Sequence, residues 1–452
     1  MTLAMFQSAP PEWERTTLGD VTERGGGHIQ TGPFGSQLHA SDYVPDGVPS
    51  IMPVNIGDNR LIRDGIACIS EEDAQRLSRH IVHEGDIIYS RRGDVERRAL
   101  VRAEQDGWFC GTGCLKVRVG DGVADPEFTS YYLGHPEVRS WLARHAVGAT
   151  MPNLNTGIMS AIPFLRPPLD EQRAIAGVLA ALDDKIELNQ RMNRALEKTA
   201  RAIFKAWFVD FEPVKAKAGG ATGFPGMLQP AFDALPDQFT ETELGPVPAG
   251  WSFVPIGQLV EVVGGATPST KEPTYWESGE HPFCTPKDMS SLTAPVLLDT
   301  ERHITQAGVD KISSGQLPVG TVILSSRAPI GYLALAATPL SVNQGIIAML
   351  TGEIPNTYVL LWTEVSMGLI KSRAGGSTFA EISKRNFRPI PALRPDDQTL
   401  AAFAEIAQPV FELITANERE SRVLARIRDA LLPKLISGEI RVLGGEGMSH
   451  GG

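Results

Sequence analysis

Short apolar runs of strand length recur along this chain, separated by turns rich in Gly, Pro and Asp. The clearest are DIIYS (86–90), LKVRV (115–119), TVILSS (321–326) and IIAML (346–350). They are mostly β-branched or apolar and predict strands, and the many loops around them suit recognition. Two long stretches then change period. Ile175, Leu179, Leu182, Ile186, Leu196, Ile203 and Trp207 fall at steps of three and four, as do Phe403, Ile406, Val410, Leu413, Leu424, Ile427 and Leu431. Each is a heptad seam of about five heptads. Pro167, Pro168 and Pro395 stand where the helices begin, with Asp170 and Asp396 as caps or first-turn charges. Pro433 and Gly438 end the second helix. Asn189 and Asn417 fall on the seams, where a buried Asn fixes register at a cost in stability.

The two halves of the chain repeat one another. IPFLRPPLDEQ (162–172) returns as IPALRPDDQ (390–398), each followed by one of the long helices. Before it, in the same order, PPEWERTTLGD matches PAGWSFVPIGQ, VPSIMPVNI matches EHPFCTPKDM, and EGDIIYSRRG matches PVGTVILSSRAP. FCGTGCLKVRV matches LSVNQGIIAML, and AVGATMPNLNTGIMSAIPFLRP matches AGGSTFAEISKRNFRPIPALRP. A duplicated unit follows, β-rich first and helical last. Each helix either packs on its own unit or pairs with its counterpart. The pairing is expected, and in a tandem chain it is most easily antiparallel. A helix of about forty residues would run about 60 Å and act as a stiff spacer. Residues 210–248 show no clear period and are expected to be a connection with little structure of its own.

At 452 residues the chain exceeds one compact core. Its start lacks the basic and apolar segments of a secretory leader, and no apolar run approaches membrane-spanning length, so no membrane partner is expected. Cys68, Cys110, Cys114 and Cys284 do not form a disulfide framework, which fits a cytoplasmic setting. The net charge of −11 argues against coating nucleic acid by overall basicity, though not against local basic surfaces or protein-covered acidic ones.

The sequence offers no catalytic site to nominate. It contains no phosphate-binding G-x-x-x-x-G-K-[ST] loop and no Asn/Asp-Pro-Pro-Tyr/Phe tetrapeptide of an amino-methyltransferase. CGTGC (110–114) has no second ligand pair for zinc, and DDK (183–185) sits in a heptad helix as a solvated face. No metal site and no catalytic residue are expected. The remaining polar groups suit nucleic acid. In the first half these are Ser90, Arg91, Arg92, Arg97 and Arg98, with Arg102 following, and Asn153 and Asn155 on a nearby loop. In the second half they are Lys287, Ser325, Arg327, Gln344, Lys384 and Arg385, near Lys371, Arg373 and Arg388, with Glu381 opposing them. Arg contacts phosphate or, through its fork of donors, a guanine edge. Exposed solubilising charge is the competing explanation for any one of these residues.

W…LGD near the start, TGPFGSQL (31–38), GDIIYSRRG, G.TMPNLN (148–155) and the two helical blocks beginning RPPLDEQ and RPDDQ carry a resemblance. Over nearly its whole length the chain resembles the specificity subunit of type I restriction–modification systems. The resemblance implies an α+β fold with two β-rich target-recognition domains in tandem and two long helices forming an antiparallel coiled coil. The expected bounds are 1–167 and 246–395 for the domains, 168–210 and 396–440 for the helices, 211–245 for the linker and 441–452 for a disordered tail. It also implies a non-catalytic subunit that reads a bipartite site on double-stranded DNA. Its partners would be two modification subunits and ATP-driven restriction subunits. S-adenosylmethionine, ATP and Mg would act in those partners, with no cofactor on this chain. A duplicated protein–protein scaffold without DNA readout is the alternative. Ala328 replaces Gly93, and TPKDM stands for MPVNI, so the two domains are expected to read different bases.

Overall fold

The computed structural model describes residues 3–148, 151–375 and 380–442. The chain divides into two compact units: unit 1 holds the residues up to Lys185 and those from Leu424 onward, and unit 2 runs from Ile186 to Val423.

In unit 1, strands β1 (Gly26–Thr31), β2 (Asp58–Asn59), β3 (Ile87–Ser90), β4 (Arg98–Leu100) and β5 (Cys114–Gly120) form one sheet in the order β1-β5-β3-β4-β2. Helix α1 (Leu169–Phe208) begins in unit 1 and continues into unit 2. Unit 2 contains β6 (Glu261–Gly264), β7 (Val296–Leu297), β8 (Val322–Ser325), β9 (Leu333–Ala336) and β10 (Ile346–Leu350), in the order β6-β10-β8-β9-β7. The topology is that of unit 1 strand for strand. Helix α2 (Asp397–Ile436) begins in unit 2 and ends in unit 1.

Three of the four apolar runs lack alternation because both faces of each large sheet are covered; LKVRV alternates, yet its Lys116 is buried. Ile87, Tyr89, Leu115 and Val117 face the helical core of unit 1, while Ile88, Ala99 and Cys114 face a second cluster with Ile51 and Cys110 of a smaller sheet. Unit 2 repeats this division, with Val322 and Leu324 on the helical side and Ile323 opposite with Cys284 and Val342. The repeated Ile-Pro segment is a strand in each unit. Pro163–Arg166 pairs antiparallel with Glu14–Thr17, and Pro391–Arg394 with Ser252–Pro255. Each matched Trp then ties that strand pair to its helix. Trp13 Nε1 donates to Glu171 at 3.1 Å, and Trp251 Nε1 donates to Asp396 at 2.9 Å. Asp396 also caps α2 by accepting from the Thr399 backbone N–H.

Within each unit the two helix segments run antiparallel. In unit 2, Phe204, Trp207 and Phe208 pack on Phe403, with ring centroids 5.1–6.0 Å apart. Farther along, Asn189 Nδ2 donates to Glu420 at 2.8 Å and to Ser421 at 3.2 Å, and Asn417 Nδ2 donates to Asn193 at 2.8 Å. Asn193 in turn donates to Glu418. In unit 1, Arg428 meets Asp183 at 2.7 Å, and Asp183 also accepts from the Tyr131 hydroxyl at 2.7 Å.

Several expectations need correction. Leu413 and Ile427 are each 42% exposed and lie off the seam. The inward positions there belong to Ile414, Asn417, Ser421 and Arg428, so the nearest apolar neighbours misled the pattern. The connection at 211–245 is not structureless. Glu212–Ala218 and Gln229–Ala234 are helices, and Val214, Phe232 and Leu235 join the core of unit 2. The expected tail starts inside the fold, since Arg441 pairs with Glu171 at 2.5 Å and Glu12 at 2.7 Å. The rest of that tail, 443–452, lies outside the described residues, as do positions 149, 150 and 376–379 of the matched loops. Helix α2 also contains a window of mean hydropathy 1.2, long enough by composition to cross a membrane, against the expectation of none. Its Leu400, Phe403, Ala407, Phe411 and Ile414 are spent in the core of unit 2.

Removing Arg428 leaves the Asp183 carboxylate enclosed and short of its cation. R428A is therefore expected to lower the unfolding free energy by about 3–5 kcal/mol, read from urea denaturation. A change below about 1 kcal/mol would mean that Asp183 does not depend on it.

Candidate nucleic-acid interface

Sheet register gathers the candidate loops at one end of each unit. In unit 1 Leu115 faces Thr31 and Cys114 faces Ser90, so the loop after β1, the loop after β3 and the turn before β5 emerge side by side. In unit 2 the same holds for Gly264, Ser325 and the pair Ile346–Ile347.

The loop after the third strand is held in the same way in both. The Arg91 N–H donates to Gly113 and the Arg91 carbonyl accepts from Leu154. The Ser326 N–H donates to Gly345 and its carbonyl accepts from Ile382. Arg92 bridges Asn153 as Arg327 bridges Glu381. Arg92 is thus matched by Arg327, Asn153 by Glu381, and Gly93 by Ala328. The last pair shares left-handed backbone, with φ of 76° and 55°. A side chain there is strained by roughly 1–2 kcal/mol, so the Ala marks a departure in sequence that conserves the turn.

The structure sorts the candidate residues by what they already do. Arg92 is exposed and makes no side-chain ion pair among the described residues. Arg91 is half-buried, bonded through Nε to the Leu154 carbonyl at 3.3 Å and lying 5.5 Å over the Phe34 ring. Burial, and then the Arg92 charge, lower its pKa. Arg97 is exposed but paired with Asp94 at 2.8 Å. In unit 2, Arg327 lies 3.7 Å from Glu381, Gln344 accepts from Thr267 at 2.6 Å, and Lys287 is exposed and paired with Glu301 at 2.7 Å. Lys384 and Arg385 are exposed on the first turn of a short helix capped by Ser383.

Three assignments are corrected. Arg98 is 6% exposed, with Nε donating to the Ser130 carbonyl at 2.5 Å, so it is internal structure that no duplex can reach. Ser90 and Ser325 are buried and serve their own loops: Ser90 donates to the Arg92 carbonyl, and Ser325 accepts from the Tyr332 N–H. Asn155 remains exposed, with its side-chain Oδ1 capping the helix Thr156–Ser160 by accepting from the Ile158 N–H at 2.8 Å.

Phe34 was not singled out by sequence, although it is 54% exposed beside Arg91. A Phe between Pro33 and Gly35 in the turn-forming TGPFGSQL is the signal that could have found it. Glu381 was seen only as opposing charge. Its partnership with Arg327 depends on a backbone bridge that spacing does not reveal.

Comparison with known proteins agrees with this duplicated architecture. A family model described as the type I restriction modification DNA specificity domain matches residues 10–198 and 248–422, once per repeat. The chain is 24% identical to the type I restriction enzyme HindI specificity subunit of Haemophilus influenzae, covering 95% of this chain and 100% of that protein. It is 34% identical to the MjaIX specificity subunit of Methanocaldococcus jannaschii over 42% of this chain and 44% of that one. The crystal structure of the type I restriction–modification S subunit from M. genitalium shares the fold at a TM-score of 0.58 and 16% identity, covering 96% of this chain and 99% of that one. With both repeats matched and the duplicated fold in place, this chain belongs to the specificity-subunit family of type I restriction–modification systems.

Proposed function

We propose that each unit reads one half of a bipartite, asymmetric DNA site, and that the paired helices set the gap between the halves. The observation that carries this reading is the matched loop cluster at the same end of both large sheets, with different side chains on one backbone frame. A shared frame with differing polar groups suits two readers of different base sequences. On this reading the chain makes no bond itself. It positions two modification subunits, where S-adenosylmethionine would be used, and restriction subunits, where ATP and Mg would be used. A scaffold without DNA contact is the competing reading. It does not account for Arg92, Lys384 and Arg385 standing exposed around the matched loops.

Binding of the chain with its modification partner to its methylated site is expected to weaken steeply with salt. R92A is expected to lower affinity and to reduce the salt slope by about one, with the unfolding temperature unchanged. R98A is expected to destabilise unit 1 by about 2 kcal/mol through loss of a buried charged hydrogen bond. An R92A protein with wild-type affinity and salt slope would remove Arg92 from the interface. Exchanging residues 15–160 for those of a relative is expected to change one half of the methylated motif and leave the other intact. Methylation mapping that shows both halves altered, or neither, would contradict the division of labour.

A further inference from the structure

Residues facing each other across an antiparallel bridge present neighbouring side chains on one face. In unit 2 such a bridge places Arg327 beside Glu381, with a guanidinium nitrogen 3.7 Å from a carboxylate oxygen and the side chains 36% and 45% exposed. An ion pair that open to solvent adds little stability, so folding does not account for the acid. Its setting makes it stand out further, because Lys371, Arg373, Lys384 and Arg385 are all exposed on the same segment. A carboxylate beside a phosphate backbone is repelled by it. The compensating partner available on a base edge is the cytosine amino group, the donor that Glu and Asp accept from in the major groove. The adjacent guanidinium is the donor fork that fits guanine O6 and N7. One G·C pair displays both groups on a single edge.

We propose that Arg327 and Glu381 together read one G·C base pair of the half-site contacted by unit 2. Arg327 donates to guanine, and Glu381 accepts from the paired cytosine. Unit 1 carries Arg92 and Asn153 on the matching frame. It keeps the guanine fork and lacks the carboxylate, so only unit 2 is built to read the paired cytosine as well. This rests on the DNA-reading role proposed above.

The test is methylation mapping of hosts expressing the chain with its modification subunit, as wild type, E381Q and R327K. The residue 15–160 exchange first identifies which half belongs to unit 2. E381Q is expected to relax discrimination at one G·C position of that half by about ten- to a hundredfold, with the other half unchanged. R327K, which keeps the charge and loses the fork, is expected to relax the same base pair. Both variants should unfold at the wild-type temperature. Either variant methylating only the wild-type motif at the wild-type rate overturns the assignment. So does relaxation at an A·T pair, or a loss spread over both halves with a lowered unfolding temperature. A wild-type chain that directs no bipartite motif removes the DNA-reading role itself. A bipartite wild-type motif with indifferent variants removes only the Arg327–Glu381 assignment.

Discussion

Register between two antiparallel helices is the constraint on which the rest of this protein depends. Apolar seams alone tolerate slippage by a heptad. Buried polar groups do not, because a shifted helix leaves them without partners at about 1–3 kcal/mol each. In unit 2, Asn189, Asn193 and Asn417 fix one alignment through Glu418, Glu420 and Ser421. In unit 1, Asp183 and Arg428 do the same through a buried ion pair that also engages Tyr131. A pair of helices with one permitted alignment can serve as a measure of length.

The units repeat this economy at a smaller scale. A backbone frame of matched bridges and hydrogen bonds fixes where the loop after the third strand stands, and leaves the side chains on it free to differ. Ala328 in left-handed backbone illustrates the point: the turn persists although the glycine that suits it is gone. Binding groups can then vary without disturbing the core, which lies behind the sheet among the helices.

The architecture was legible in the sequence because repetition and period are properties of order, and order survives divergence. The central strands were visible as apolar runs, and the helices as heptads. The seam was misread where Asn417, Ser421 and Arg428 take inward places, since a hydrophobic pattern cannot see a polar core. The site was harder to read for a related reason. Arg98 and Arg92 are indistinguishable as letters in SRRGDVERR, yet one is locked onto the Ser130 carbonyl and the other stands in solvent. Ser90, Ser325 and Asn155 hold turns and a cap that depend on contacts close at hand in space. Phe34 and Glu381 gain meaning only from neighbours that lie far off in sequence.

The proposed role of the paired helices as a ruler is tested most directly by lengthening them. Seven residues inserted into α1 after Gln190, with seven matching residues in the facing part of α2, preserve the heptads and add about 10 Å. Methylation mapping of a host carrying this variant and its modification subunit should return the same two half-sites with a longer gap between them. Methylation of the original motif at its original spacing and rate would contradict the account.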